Sequence, residues 1–276
     1  MHFETSGQKL NRLNKKQVLI VASYNNFASD EKSNGLNGFS GSNLDFNDSA
    51  LNFYVEYGLS DSFSGYLSTG FGSGSDQDND NAKGIEPVRL GLKYNLNLNE
   101  KTAFFAEVKL SIATEEIESD NRLNGSNNAS LQLGVNKETS SGNFGALTDI
   151  GLYTSDSDDG DGFKGQLSGG IFVSIFKDWK IKENSLLGVA LNYSNQTSNL
   201  GGNVSFGQFG LFTIDGEEAN LIGPEVYGKA SINEKFNIIG SVKYNEILDV
   251  ESSSSNVSSF LDGRTFSFNI GVNYLL

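Results

Sequence analysis

The chain closes on "TFSFNIGVNYLL", Thr265 to Leu276. Phe266, Phe268, Ile270, Val272, Tyr274 and Leu276 alternate with Thr265, Ser267, Asn269, Gly271 and Asn273, and only Leu275 breaks the polar row. A repeat of two is that of a strand with one apolar and one polar face. Chain ends are usually polar and frayed unless a sheet ties them down. A terminal strand this apolar therefore calls for a partner strand.

The same alternation recurs along the chain. Leu51, Phe53, Val55, Tyr57 and Leu59 share one face, and a short "SDS" leads into Phe63, Leu67 and Phe71. Val88, Leu90, Leu92 and Tyr94 follow, then Phe104, Ala106, Val108, Leu110 and Ile112. Further runs cover residues 129–138, 143–154, 163–176, 185–195, 220–232 and 236–248. The connections sort into two alternating classes. Residues 60–62, 96–101, 139–142, 177–184 and 233–235 are compact; residues 73–83, 114–128, 155–162, 196–219 and 249–263 are long. Short turns at one end and long loops at the other are the habit of membrane-spanning barrels. The strand at 49–59 enters a short turn, so an outward strand precedes it, and residues 17–27 fill that place with 28–48 as a sixth long loop.

The expectation is an all-β, transmembrane, up-and-down antiparallel barrel of twelve strands with both termini on the inner, periplasmic side. Residues 1–16 form an N-terminal periplasmic extension and residues 17–276 a single barrel domain. Strands of about 10–13 residues suit a tilted crossing of a bilayer and exceed the usual soluble strand of about 5–6. Tyr57, Phe63, Phe71, Tyr94, Phe104, Phe144, Phe163, Tyr193, Phe236, Tyr244 and Tyr274 fall near strand ends, as interfacial girdles do.

The closing octet resembles the C-terminal signal read by the bacterial outer-membrane barrel-assembly machinery. Asn269, Gly271, Tyr274 and Leu276 occupy its polar, glycine, aromatic and terminal places, with Leu276 where the family usually has Phe. The chain as a whole resembles an outer-membrane β-barrel. That resemblance implies an outer-membrane location, with lipid, lipopolysaccharide and the assembly machinery as partners. The barrel enzymes of that membrane share a catalytic His, and the single His here, His2, precedes the first strand. Without a placed imidazole nothing marks a general base, and "GFGSG" at 70–74 lacks the Lys of a phosphate loop. No enzyme activity and no cofactor are expected.

Composition removes other classes. With no Cys there are no disulfides, thiolate metal sites or cysteine nucleophiles. A net charge of −14 argues against nucleic acid, which needs a basic face. No run of 18 apolar residues exists to make a membrane helix. The apolar run Val18–Ala22 is short for a secretion signal, so the chain reads as a mature one or as one given an initiator Met.

Charge is distributed unevenly. The six long loops hold 21 of the 34 Asp and Glu against Lys32, Lys83 and Arg122, a balance of −18. Such a mouth concentrates cations. "DQDND" (Asp76, Asp78, Asp80) and "DSDDGDG" (Asp156, Asp158, Asp159, Asp161) have the oxygen spacing of calcium loops without the later Glu. Loose divalent bridging to lipopolysaccharide is the expectation there, with no resident metal. Polar strand faces place Glu56, Arg89, Lys93, Glu107, Lys109, Asp149, Lys164, Glu225, Lys229 and Lys243 along the lumen. Twelve strands lie between barrels filled by side chains and those that leave a channel, so these charges either line a narrow pore or pair to close it. Small neighbours such as Ser64, Ser68, Gly91, Gly134, Gly188 and Gly271 favour room. Residues 200–214, rich in Gly and Phe, either fold inward or extend the strands beside them.

The functional expectation is a porin-like passive channel for small polar solutes or ions. Its rivals are a closed anchoring or adhesive barrel, and an autotransporter-type translocator, which has twelve strands but threads a helix through its pore. The roughly sixteen residues before the first strand are short for that.

Overall fold

A strand with one apolar face needs a core or lipid on that side, and a sheet of such strands must also satisfy its two edges. Closing the sheet on itself meets both demands. A computed structural model describes residues 13–33, 43–75, 81–112, 127–155, 166–182, 185–198, 203–205, 213–215, 218–251 and 260–276.

The strands in chain order are β1 (Val18–Ser33), β2 (Asn43–Gly58), β3 (Phe63–Ser75), β4 (Asn81–Ile85), β5 (Val88–Asn99), β6 (Thr102–Ile112), β7 (Asn127–Thr139), β8 (Gly142–Ser155), β9 (Gln166–Lys182), β10 (Ser185–Ser198), β11 (Asn203–Ser205), β12 (Thr213–Asp215), β13 (Glu218–Ser231), β14 (Phe236–Glu251) and β15 (Phe260–Leu275). Each barrel strand pairs antiparallel with its sequence neighbours, and β1 pairs with both β2 and β15. β4 and β5 are two halves of one stave, both laid against β3, so the closed sheet has twelve staves.

The terminal strand finds its partner in β1. Leu19 faces Leu275 and Asn25 faces Asn269 in register, and Val18 and Leu276 exchange backbone hydrogen bonds of 3.1 and 2.8 Å. No described strand edge of the barrel is left open between β1 and β15. The outer face carries an unbroken belt of exposed apolar side chains, including Phe53, Leu67, Leu92, Val108, Ile150, Val189 and Ile270. In water such a belt exceeds by far the few hundred Å² of apolar patch a soluble monomer shows; in lipid it is the required surface. Tyr57, Phe63, Phe71, Phe144, Tyr193, Tyr244 and Tyr274 point outward from it as expected, with the Phe63 and Tyr94 rings 4.8 Å apart and tilted by 39°; Phe163 lies outside the described residues.

The strands are longer than their alternation suggests. β9 has 17 residues and spans about 56 Å at about 3.3 Å per residue. Tilted by about 40° it rises about 43 Å, beyond the roughly 25 Å apolar band of such barrels. Pairing thus continues where alternation stops. It takes β1 to Ser33, β2 back to Asn43, β14 to Glu251 and β15 back to Phe260, inside the stretches expected as loops. Likewise β9 runs through most of the expected turn at 177–184. Within residues 200–214 and the residue after them a small hairpin pairs Val204 with Ile214.

Both prolines stand where pairing is interrupted, because proline has no N–H to give a ladder. Pro87 separates β4 from β5, and Glu86 N–H keeps a 2.9 Å bond to Gly70 O across the gap. Gly223 and Pro224 are skipped in the register between β13 and β14.

Candidate functional site: the barrel lumen

The inward side chains follow from parity. On β2 the row is Ala50, Asn52, Tyr54 and Glu56; on β3 it is Ser64, Tyr66 and Ser68; on β6 it is Phe105, Glu107, Lys109 and Ser111. Every one of these is buried although the wall is a single sheet thick.

Aromatic rings account for much of that burial. Tyr66 stands opposite Gly91, Phe176 opposite Gly145, and Tyr227 opposite Gly188. A Cβ added at those glycines would fall 2.1, 2.4 and 2.2 Å from the facing ring. Each ring therefore lies along the wall in the space its neighbour leaves. Gly91 and Gly188 do not open the lumen, as their small size suggested; rings occupy them.

Lying flat, Tyr66 crosses β5 and donates its hydroxyl to Glu107 Oε1 on β6 at 2.5 Å. Beside it Glu56 accepts from the hydroxyls of Tyr54 and Ser64 and from Lys93 Nζ, the last at 3.1 Å. Lys93 also donates to the Tyr54 oxygen at 2.7 Å and sits 5.2 Å from the ring centres of both Tyr54 and Tyr66. The Lys93 side chain is 1 % exposed and that of Glu56 2 %, so this ion pair is dry and its charge is shared among hydroxyls and π faces.

A second pair spans the next strands. Lys109 on β6 bonds Asp149 on β8, reaching past β7, whose Gln132 lies between and is 0 % exposed. On the other wall Asn192 donates to Glu225 at 3.3 Å, and Lys243 on β14 lies 5.2 Å over the Phe172 ring on β9, two staves beyond β13. Arg89 reaches Glu86 at 3.4 Å. Lys229 is half-buried near Asp178, which accepts from the backbone and side-chain nitrogens of Asn143 at 2.7 and 3.1 Å. Apolar side chains fill in between, with Leu147, Phe172, Phe176, Ala190 and Tyr227 in one cluster and Val21, Tyr54, Tyr66 and Ile239 in another.

Nine of the ten charges expected at the lumen lie among the described residues, on inward rows; Lys164 lies outside them, as do His2, Asp76, Asp78, Asp80 and the aspartates of residues 156–161. Among the described residues no group of three or more His, Cys, Asp or Glu is arranged to hold a metal. Of the closing octet, Asn269 bonds Asn25 at 2.6 Å, Gly271 packs against Ser23 and the Ala22 carbonyl, and Tyr274 and Leu276 face outward. Sequence reasoning missed Tyr54, Tyr66, Phe105, Phe172, Phe176 and Tyr227 as inward groups, although each shares the parity of a residue it placed there. Asp178 was missed because it fell in an expected turn.

No protein-family model and no curated protein matches the chain. Among solved structures, an outer-membrane channel from Pseudomonas putida F1 superposes with a TM-score of 0.71 at 16% identity, over 99% of this chain and 100% of that one. The β domain of the Bordetella autotransporter BrkA gives a TM-score of 0.52 at 11% identity, over 94% of this chain and 99% of that one. At these identities the likeness speaks for the fold, and the chain folds as a bacterial outer-membrane β-barrel.

Proposed function

We propose that this outer-membrane barrel is a passive, porin-like channel whose narrow, charged lumen passes small polar solutes or ions. The observation that carries the reading is the chemistry of the inward face. Replacing a buried ion pair by packed apolar side chains is often neutral or stabilising by about 1–4 kcal/mol. A barrel serving only as an anchor gains nothing from Glu56, Lys93, Lys109 and Asp149 in its interior, whereas a polar path needs such groups. Likeness in fold to an outer-membrane channel over the full length of both chains supports the same reading. The acidic long loops would concentrate cations at the mouth.

The closed-barrel reading draws support from the Glu56–Lys93 pair, which is buried away from water. Conductance in planar lipid bilayers separates the two. The expected result is small discrete steps in the parent protein and larger ones in Tyr66→Ala, which removes a ring from the lumen. A cation preference should hold at low KCl and shrink as salt rises, because screening acts over about 8 Å at physiological salt. Silence in both proteins overturns the channel in favour of the anchor.

A further inference from the structure

Among the described residues seven buried side-chain polar atoms lack a hydrogen-bond partner, and three of them are donors on the adjacent strands β2, β3 and β5. Asn52 Nδ2 on β2, Ser68 Oγ on β3 and Arg89 Nη1 on β5 are buried and meet no hydrogen-bond partner. Ser68 stands directly opposite Arg89. On its other side it faces Tyr54, two residues from Asn52, while Asn52 faces Gly70, two residues from Ser68. Directly opposed residues lie about 4.5–5.5 Å apart and diagonal ones about 7–8 Å. Ser68 thus stands on the middle strand, beside Arg89 on one side and diagonal to Asn52 on the other. Gly70 lets the Asn52 side chain lie against it, for a Cβ there would fall 2.5 Å from Asn52 Oδ1.

Arg89 is the most demanding of the three. Among the described residues its anionic partner is Glu86, held by Nη2 at 3.4 Å, the long end of a hydrogen bond, with the two side chains 13% and 14% exposed. A guanidinium carries five N–H donors in one plane, and leaving donors of a buried cation unmet is expensive. Lys93, four residues further along β5, cannot serve, being a donor itself and committed to Glu56. What the cluster lacks is an acceptor with two oxygens: one for the guanidinium fork, one for the hydroxyl and the amide. A carboxylate has that shape. A single carboxylate adds less negative charge beside Glu86 than a phosphate dianion would.

We propose that Arg89, Ser68 and Asn52 form a recognition site in the lumen for the carboxylate of a small organic acid. The site rests on the channel reading for its access and narrows the solute class of that reading. Binding can be read without transport, by saturation-transfer NMR on the full chain in detergent micelles, with propionate as probe and propionamide and inorganic phosphate as controls. Saturable binding of propionate is expected, with little from either control. Arg89→Gln and Ser68→Ala should each weaken it, Arg89→Gln by about ten-fold or more. Glu86→Gln should tighten it by freeing the guanidinium. Heat-modifiable migration in gels checks that every variant is folded. No saturation in the parent, equal binding of propionamide, or an unchanged folded Arg89→Gln overturns the site and leaves its donors to water. A protein that conducts but does not bind propionate keeps the channel and loses the site; one that binds but is silent in bilayers does the reverse.

Discussion

At the scale of single residues, the barrel's interior is organised by what glycines leave empty. Gly91 lets Tyr66 lie flat, and only a flat Tyr66 can reach Glu107. Gly91→Val should lift the ring, break that bond and cost about 1–3 kcal/mol through overpacking, read as a lower temperature for loss of the folded, fast-migrating gel band. The Glu56–Lys93 pair gives a sharper test. Lys93→Met alone leaves a buried carboxylate uncompensated and should cost about 3–5 kcal/mol, while Lys93→Met with Glu56→Gln should recover most of it. Urea unfolding of the singles and the double measures the difference; equal losses in all three would refute a dry pair. The inward direction of these charges was legible in the sequence, because parity alone sets it. Their pairing was not. Tyr66 and Glu107 are joined across an intervening strand, as are Lys109 and Asp149, and register between strands is decided by the folded ladder.

At the scale of elements, alternation located eleven of the twelve staves and turn parity the first, but neither located their ends. Alternation reports where lipid begins and stops, whereas strands end where hydrogen bonding ends, and β1, β2, β14 and β15 continue well past their apolar belt. The broken stave was invisible for a related reason: Glu86–Pro87 interrupts the pairing without interrupting the apolar face, which resumes at Val88. The turn end is held by closer contacts. Lys180 donates to Glu138 at 2.7 Å and holds that exposed carboxyl below its ordinary range, though solvent screens the pair to little effect on stability. Gly58 matters more. Its N–H and C=O bond Gln17 and Lys16, and a Cβ there would sit 2.0 Å from the Asn14 carbonyl oxygen. Gly58→Ala should push residues 13–17 off the end of β2 and speed tryptic cleavage at Lys15 and Lys16 several-fold. Unchanged cleavage would mean that the segment is held elsewhere.

At the scale of the whole molecule, closure is the condition for everything else. Removing residues 269–276 would strip β1 and β14 of much of their partner, and each backbone group left unmet in lipid costs several kcal/mol. The truncated chain should yield no heat-modifiable band and no detergent-soluble barrel, and normal insertion would refute the role given to the closing strand. The closed form also explains why the lumen was the harder half to read. Its contents come from strands distant in sequence, and a polar row looks the same whether it faces water or another side chain. The rings laid over glycines carry a last consequence, for descent. A large residue at 91, 145 or 188 is barred while its ring stays, and an empty glycine is a defect once the ring is gone. Lineages of this chain should thus trade these positions as couples, Tyr66 with Gly91, Phe176 with Gly145 and Tyr227 with Gly188, so that each pair is inherited as a single character.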